Sequence, residues 1–407
     1  MRIVYSVPSG LRLPAVLATA VATAEAAALL LRPRDNGPEP VMVEARAYFS
    51  PQELEKARRF RRGQLSILAA SLVLELALLA VAARRAPRPR AAPVLGGAAA
   101  AAGLSAGLTV ATLPLAAWAR RRAKAVGLVT QSWGGWAGDV AKQVAISGAL
   151  AGAGGALLLA GTQRFGRAWW LPGAGAALGL GVVFTYAGPV VLDPVFNRFT
   201  PLPEGATRSD VLALARRAGV DVGEVFEVDA SRRTTACNAY VAGLGRTKRV
   251  VLYDNLLKDF TPAEVRLVIA HELGHVRHRD VVHGLLWVAL VAPAGMLAAA
   301  RLAEALGRPG ALGTPGAVPA TALAFALVGP AIAAISNQLS RAVETRADRF
   351  ALGLTGEPET LISFERRITV KNVGDPAPPR WLQLLLGTHP TTMERIGQAL
   401  AVGSQSS

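Results

Sequence analysis

A single cysteine in 407 residues, Cys237, excludes an internal disulfide framework. It also leaves a Cys–His catalytic pair only one thiol to draw on, and Cys237 reads instead as a small buried hydrophobe. Histidine is almost as scarce, with five in the chain and none before residue 271. Charge is thin as well. Charged residues make up 18% of the chain, where soluble domains carry about a quarter, against 52% hydrophobic residues and a mean hydropathy of +0.34. This excludes an ordinary soluble domain. Acidic residues are the scarcer sign, 28 against 44 basic, for a net charge of +16. Such an excess would suit nucleic acid, but no zinc-knuckle, RNA-recognition or basic helix-turn-helix pattern accompanies it. The arginines cluster beside apolar runs, as membrane-flanking charge does, so a lipid bilayer rather than nucleic acid is the expected partner.

Long apolar runs are abundant. About 20 apolar residues in a helix cross the hydrocarbon core, and seven stretches qualify: Leu13 to Leu31, Leu65 to Ala83, a stretch within Ala91 to Ala119, Val144 to Gly161, Ala168 to Leu192, Val281 to Ala300, and Ala317 to Ile335. The first carries small-residue patterns of the kind signal peptides show, but six further spans favour a retained helix. Gly148/Gly152 and Gly175/Gly179 have spacings suited to close helix approach, although runs this rich in Gly and Ala produce such pairs by chance. Basic residues number eight in the first connecting loop, four in the second ("RRAPRPR") and four in the third. Cytoplasmic loops carry the excess of Lys and Arg, which places the N-terminus outside and the first and third loops, the block from about 200 to 280 and the C-terminus in the cytoplasm. Glu25 and Glu75 fall inside apolar runs. Each is either a functional acid or an inward-facing one, wetted or paired with an arginine. In the first loop, "SPQELEKARRF" opens with the Ser50/Glu53 capping pattern and Pro51, predicting an ordered helix start.

Composition changes after residue 200. "TRSDVLALARRAGV" has helical periodicity, and "EVFEVDAS", "NAYVAGL" and "KRVVLYDNLL" read as short strands. "TPAEVRLVIAHELGHVRHRD" then opens with Thr261, Pro262 and Glu264, a capping box that predicts a helix. On that helix His271 and His275 share a face and can offer two ring nitrogens to one metal ion about 2 Å away. Glu272 is rotated about 100° from His271, where it reaches a metal-bound water rather than the metal. A catalytic zinc site needs three protein ligands and one open position. Downstream, "SNQLSRAVETRADRFALG" supplies Glu344 on a helix continuing from the seventh span, with Asp348 one turn on to accept a hydrogen bond from a ligand imidazole. H-E-x-x-H followed about 70 residues later by E-x-x-x-D is the glutamate-ligand pattern of thermolysin-like zinc peptidases. His278 reads as part of a solvated helix end and His283 as a structural residue of the sixth span.

Several blocks, taken in order, resemble the type I CAAX prenyl protease family of seven-span integral membrane zinc metallopeptidases. They are "FSPQELEKARRF", "GLVTQSWGGWAGDVAKQ", "DPVFNRFTPLPEG", "NAYVAGLGRTKRVVLYDNLL", "HELGHVRHRD", "SRAVETRADRF" and "THPTTMERI". The alanine- and arginine-rich composition is that of a GC-rich bacterial coding sequence, so the resemblance is to a bacterial member. It implies a mainly α fold, a seven-span transmembrane helical barrel enclosing a chamber, with an inserted small α+β zinc metallopeptidase domain of gluzincin type. The implied division is five transmembrane helices with an ordered first loop in 1–200, a soluble catalytic insert in 201–280, two further spans in 281–340, and C-terminal helices carrying the third ligand and the His-Pro motif in 341–407. The implied cofactor is one zinc ion per chain, held by His271, His275 and Glu344. Glu272 would be the general base and Asp348 would orient a ligand histidine. Asn238 and Ala239 would lie on an edge strand that pairs with the substrate peptide, and His389 and Arg395 would stabilise the oxyanion.

These readings converge on a zinc metalloendopeptidase acting on membrane-associated polypeptides, with CAAX-type C-terminal processing as the family activity. Bacteria generally lack prenylation, so clipping of other membrane-associated or misfolded polypeptides stands beside it. An intramembrane zinc protease fits less well, because "HVRHRD" separates the motif from the sixth span. A non-catalytic zinc-containing membrane sensor or scaffold is the rival of a different class. It calls for a closed four-ligand site or a lost base, whereas Glu272 is present and no cysteine lies near enough to close the shell.

Overall fold

The computed structural model describes residues 13–34, 37–86, 93–243 and 248–406. Parts of the sequence reading lie outside them, among them Asp35 and Asn36 of the first loop, Arg88 and Arg90 of the second, the start of the third apolar stretch at Ala91, and Leu244 to Thr247 of the block that begins "NAYVAGLG".

Among the described residues, seven helices are long and apolar enough to cross a membrane: α1 (Leu13–Leu31), α2 (Pro51–Arg85), α3 (Val94–Ala125), α4 (Trp133–Phe165), α5 (Trp170–Val191), and, later in the chain, Asp280–Leu306 and Ala317–Thr355. After α5 come the short α6 (Asp193–Phe196), β1 (Phe199–Pro201), α7 (Ala206–Arg217), β2 (Glu224–Val228), β3 (Ala239–Ala242), β4 (Arg249–Tyr253), α8 (Asp254–Asp259) and α9 (Pro262–Arg277). The last two membrane helices are α10 (Asp280–Leu306) and α11 (Ala317–Thr355), followed by α12 (Pro358–Lys371), α13 (Arg380–Leu386) and α14 (Thr392–Ser406).

The helix expected in the first loop is present but does not stand alone. Ser50 and Glu53 form a complete capping box at the start of α2, which runs unbroken through the second span to Arg85. Nothing between Lys56 and Leu65 breaks the helix: the four arginines there are good helix formers, and the one glycine, Gly63, is tolerated. Helix α11 likewise continues 20 residues past Ile335, through Glu344 and Asp348.

The membrane helices close a ring. Packing runs α2, α3, α4, α5, α10, α11 and back to α2, with α1 seated against α10 and α11. The α1 contact face is Val16, Ala20, Ala24, Ala27 and Ala28, small residues recurring at helical spacing. Only Gly97 is buried along the 32 residues of α3, and only Ala174 along α5. A helix inside a solid bundle would bury a continuous stripe, so both faces of these two are open, as the wall of a hollow barrel requires. The closest helix approach is not at the expected glycine pairs. Gly155 of α4 meets Gly97 of α3 backbone to backbone, and a methyl on either would overlap the other's carbonyl. Gly152 lies at the same contact, while Gly148, Gly175 and Gly179 face open space.

The insert is a four-stranded sheet in the order β1-β2-β4-β3. Strands β2 and β4 are parallel, and β1 and β3 pair antiparallel outside them. β1 is too short to announce itself by alternation. The "DNLL" end of the third expected strand is α8. Val250, Val251 and Leu252 of central β4 are fully buried. One core joins this sheet to α7 and α9, and it is completed by Ala351 and Leu352 of α11, Leu361 and Phe364 of α12, and Ala399 of α14.

An extended strap between α1 and α2 crosses α14, where the Val41 amide donates to the Gly397 carbonyl at 3.1 Å. The crossing is so tight that a Cβ on Gly397 would overlap the Val41 carbonyl oxygen. Gly397→Ala should therefore lift the strap and lower stability by about 1–3 kcal/mol, the usual cost of overpacking, seen as a lower melting temperature in detergent.

Candidate metal and active site

Helix α9 starts where the sequence says it should. Thr261 Oγ1 accepts the Glu264 amide and Glu264 Oε2 accepts the Thr261 amide. Glu264 is 1% exposed and also takes Ser363 and Arg367, tying α9 to α12. The apolar side of α9, through Val265, Ile269 and Leu273, packs into the core. That fixes the rotation of the helix and turns His271, Glu272 and His275 toward α11.

Helix α11 brings Glu344 to meet them. The Nε2 atoms of His271 and His275 are 3.1 Å apart. Glu344 Oε2 lies 3.1 Å from the first, and Oε1 lies 3.7 Å from the second. The Nδ1 atoms face carboxylates, His271 on Asp348 at 2.8 Å and His275 on Asp280 at 2.9 Å. A carboxylate on Nδ1 keeps that nitrogen's proton in place, so each Nε2 faces inward and offers a lone pair whenever it carries no proton. Two lone pairs and a carboxylate at this range repel unless a positive charge lies between them. Burial opposes charge on His271, yet the bonds to Asp348 and Glu344 prevail and push its pKa up to about 10, so a proton on Nε2 is one positive charge that fits the gap and a metal cation is the other. The three groups form a set that can hold a metal ion. Bonds of about 2 Å in a tetrahedral shell place ligands about 3.3 Å apart, and the observed spacings bracket that value.

Behind His271 the ion pairs continue inward. Arg395 of α14 grips Asp348 with two nitrogens, Nε at 2.7 Å and Nη2 at 2.5 Å, and sets Nη1 against Glu365 of α12. Asp348 and Glu365 are 1% and 2% exposed. One guanidinium cannot neutralise two desolvated acids, and burial pushes Glu365 up to about 7 despite Arg395. The sequence reading set Arg395 at the oxyanion, but the structure places three of its nitrogens on these carboxylates.

The other expected residues gather around a cavity of about 230 Å³ whose lining includes Asn238, Ala239, His271, Glu272 and His389. Burial raises the Glu272 carboxyl above its ordinary range, with His271 and His275 pulling it back. His389 follows α13, with Nε2 3.4 Å from Glu344 Oε2 and Nδ1 2.9 Å from Thr388 Oγ1. Burial lowers its pKa. Strand β3, beginning at Ala239, pairs only with β4 among the described residues, so its outer edge faces the cavity side unpaired. Asn238 turns its side-chain oxygen back to the Ala239 amide. The chain entering β3 is clamped by the α3–α4 loop, where the Thr130 amide donates to the Arg233 carbonyl and Val129 bridges Thr234, and by the first turns of α4, where Arg233 pairs with Asp139.

His278 bonds the Gly274 carbonyl and meets Phe350 edge-on, and His283 bonds the Arg279 carbonyl. Neither belongs to the ligating group. Cys237 is buried and lines the cavity, its thiol raised to about 11 by burial. Two residues at the site escaped the sequence reading. Asp280 was legible only as the end of "RHRD", and Glu365 lies in an ordinary amphipathic helix that carries no signal.

Residues 201–402 match the profile of Peptidase family M48. An uncharacterized metalloprotease, YhfN, of Bacillus subtilis is 31% identical over 58% of this chain and 57% of its own length. A CAAX prenyl protease 1 homolog of Oryza sativa is 31% identical over 54% of this chain and 53% of its own. The chain thus matches little more than half the length of these relatives. The crystal structure of S. mikatae Ste24p superposes with a TM-score of 0.75 over 96% of this chain and all of that one, at 21% identity, showing a shared fold. The chain is a multi-pass membrane protein with seven apolar helices among the described residues, and the stretch that holds the site, residues 201–402, matches peptidase family M48, with CAAX prenyl proteases among the similar proteins.

Proposed function

We propose that this protein is a zinc-dependent membrane endopeptidase that hydrolyses peptide bonds of membrane-associated polypeptides. The observation that carries the reading is the convergence of the two inward Nε2 atoms with Glu344, beside Glu272 and an unpaired strand edge. His271, His275 and Glu344 would hold the zinc ion, which when bound would supply Lewis acidity and lower the pKa of the attacking water.

The rest is the work of the chain's own side chains. The substrate backbone lies along Asn238 and Ala239 as an added strand, which fixes the register of the scissile bond over Glu272. Glu272 takes the proton of the attacking water and returns it to the leaving amine. His389, the most exposed of the site's histidines, donates Nε2–H to the oxyanion. Asp348 holds the His271 ring and Arg395 holds Asp348, so we assign Arg395 a positioning role in place of direct donation to the oxyanion.

The relatives named CAAX prenyl proteases make C-terminal processing one candidate activity, and the barrel would admit a lipid-anchored substrate. The catalytic insert faces the cytoplasm in the orientation that the basic loops favour. The scaffold reading has less support, because Glu272 is present and the ligating group among the described residues stops at three.

The test is a membrane peptide substrate incubated with full-length protein in detergent. Metal analysis should give about one zinc per chain. A chelator should abolish cleavage and zinc should restore it. Stoichiometric zinc with no hydrolysis of any peptide would favour the scaffold.

A further inference from the structure

We infer that Asp280, the first residue of membrane helix α10, is a positioning residue for the metal site. It holds the second histidine ligand, and Arg346 of membrane helix α11 holds it in turn. The inference rests on the metal reading above and extends it to Asp280, outside both motifs, and to Arg346, at an unspecified position within E-x-x-x-D.

The geometry has three parts. Asp280 Oδ2 lies 2.9 Å from His275 Nδ1, the nitrogen facing away from the ligating group. Its other oxygen, Oδ1, takes the Nη2 of Arg346. The turn that makes this contact is held in an unusual backbone. Arg279, between α9 and α10, has φ +58°, one of two non-glycine residues with positive φ among those described. In an unbroken helix Asp280 would sit five residues, about 140° of rotation, from His275 and off its face. The left-handed residue ends α9 and folds Asp280 back under the ring. Such a conformation is unfavourable on a non-glycine residue, and persists where surrounding contacts enforce it.

The carboxylate does two things for His275. It fixes the proton on Nδ1, leaving Nε2 free to ligate, and its negative charge makes Nε2 a stronger donor. Asp348 does the same for His271 from α11. Both imidazoles are therefore anchored by acids on membrane helices, and the Asp280–Arg346 pair ties the two helices together at the site. The blander account makes Asp280 only a first-turn acid favouring the α10 dipole and an ion-pair partner. That account predicts lost stability with unchanged metal affinity.

Zinc affinity, measured on the full chain in detergent by competition with a fluorescent zinc chelator, separates the two. Asp280→Ala should weaken zinc binding about 10–100-fold, as loss of an outer partner of a ligand histidine does. Asp280→Asn keeps the size and an acceptor oxygen but loses the charge. It should fall between alanine and wild type, and it serves if the alanine variant does not fold. Arg346→Gln should weaken zinc by a smaller factor. Melting of the metal-free proteins, recorded alongside, reports the structural contribution separately. Unchanged zinc affinity in any folded Asp280 variant overturns the assignment, however far its melting temperature has moved. A wild-type chain that binds no zinc overturns both this role and the hydrolase reading, whereas wild-type binding with unaffected variants overturns only the role of Asp280.

Discussion

Glu344→Ala is expected to strip the protein of zinc and take peptide hydrolysis to background. Glu344 is the only acid of the ligating group, and its two oxygens span the pair of imidazoles at 3.1 and 3.7 Å. The variant keeps two histidines one turn apart on α9, which is too few for a stable catalytic zinc site. The loss of affinity should exceed the roughly 10–100-fold that removal of an outer partner costs. Glu344→Asp draws the carboxylate back by about one bond length and should retain weak, readily chelated metal. Elemental analysis of the purified variants, read beside cleavage of a membrane peptide, checks both outcomes. Full zinc content in Glu344→Ala would mean that the third ligand comes from elsewhere, His389 being the nearest donor.

Glu272→Gln should have the opposite signature, with zinc retained and catalysis lost. The side chain lies one residue past the first ligand, rotated about 100° from it, and is absent from the ligating group. The amide matches the carboxylate in size but cannot take up the water's proton. General acid–base catalysis contributes about 10²–10⁴-fold, and kcat should fall by at least that, because the same group serves both halves of the reaction. Burial disfavours the charged form of Glu272, so the neutral variant should melt no lower than wild type. Near-normal turnover in a zinc-loaded Glu272→Gln protein would remove Glu272 from the mechanism and send the search for a base to His389. Opposite outcomes at residues 344 and 272 would establish separate holding and proton-transfer roles, which neither variant does alone.

The two halves of the site were unequally legible. His271, Glu272 and His275 are local: one capped helix and a four-residue spacing place them, and these are properties of contiguous sequence. Glu344 and Asp348 were legible as a pair for the same reason, on a helix whose apolar run could be followed out of the seventh span. Asp280 was not. Its role depends on a left-handed turn at Arg279, and an arginine gives no signal of positive φ where a glycine would have. Arg395 was found, but its donors could not be assigned from sequence. Where a guanidinium points depends on which acids lie beside it, and Glu365, on α12, comes from a helix with no motif. The glycine spacings carried little weight for a related reason: of the four glycines only Gly152 lies at the Gly97–Gly155 contact, which depends on which helices are neighbours.

Contiguous stretches of sequence specify the apolar helices, the capped starts of α2 and α9, and the identity of the groups able to ligate a metal. Each of these follows from periodicity, hydropathy or backbone chemistry within a few residues. The tertiary structure decided which faces meet: that α11 delivers Glu344 to α9, that β3 ends at the sheet edge, and that Asp280, Arg346, Asp348 and Arg395 lock the imidazoles from behind. Those relations join residues from tens to hundreds of positions apart. They are set by closure of the helical ring and by a shared core that buries one side of α9 and leaves the other to chemistry.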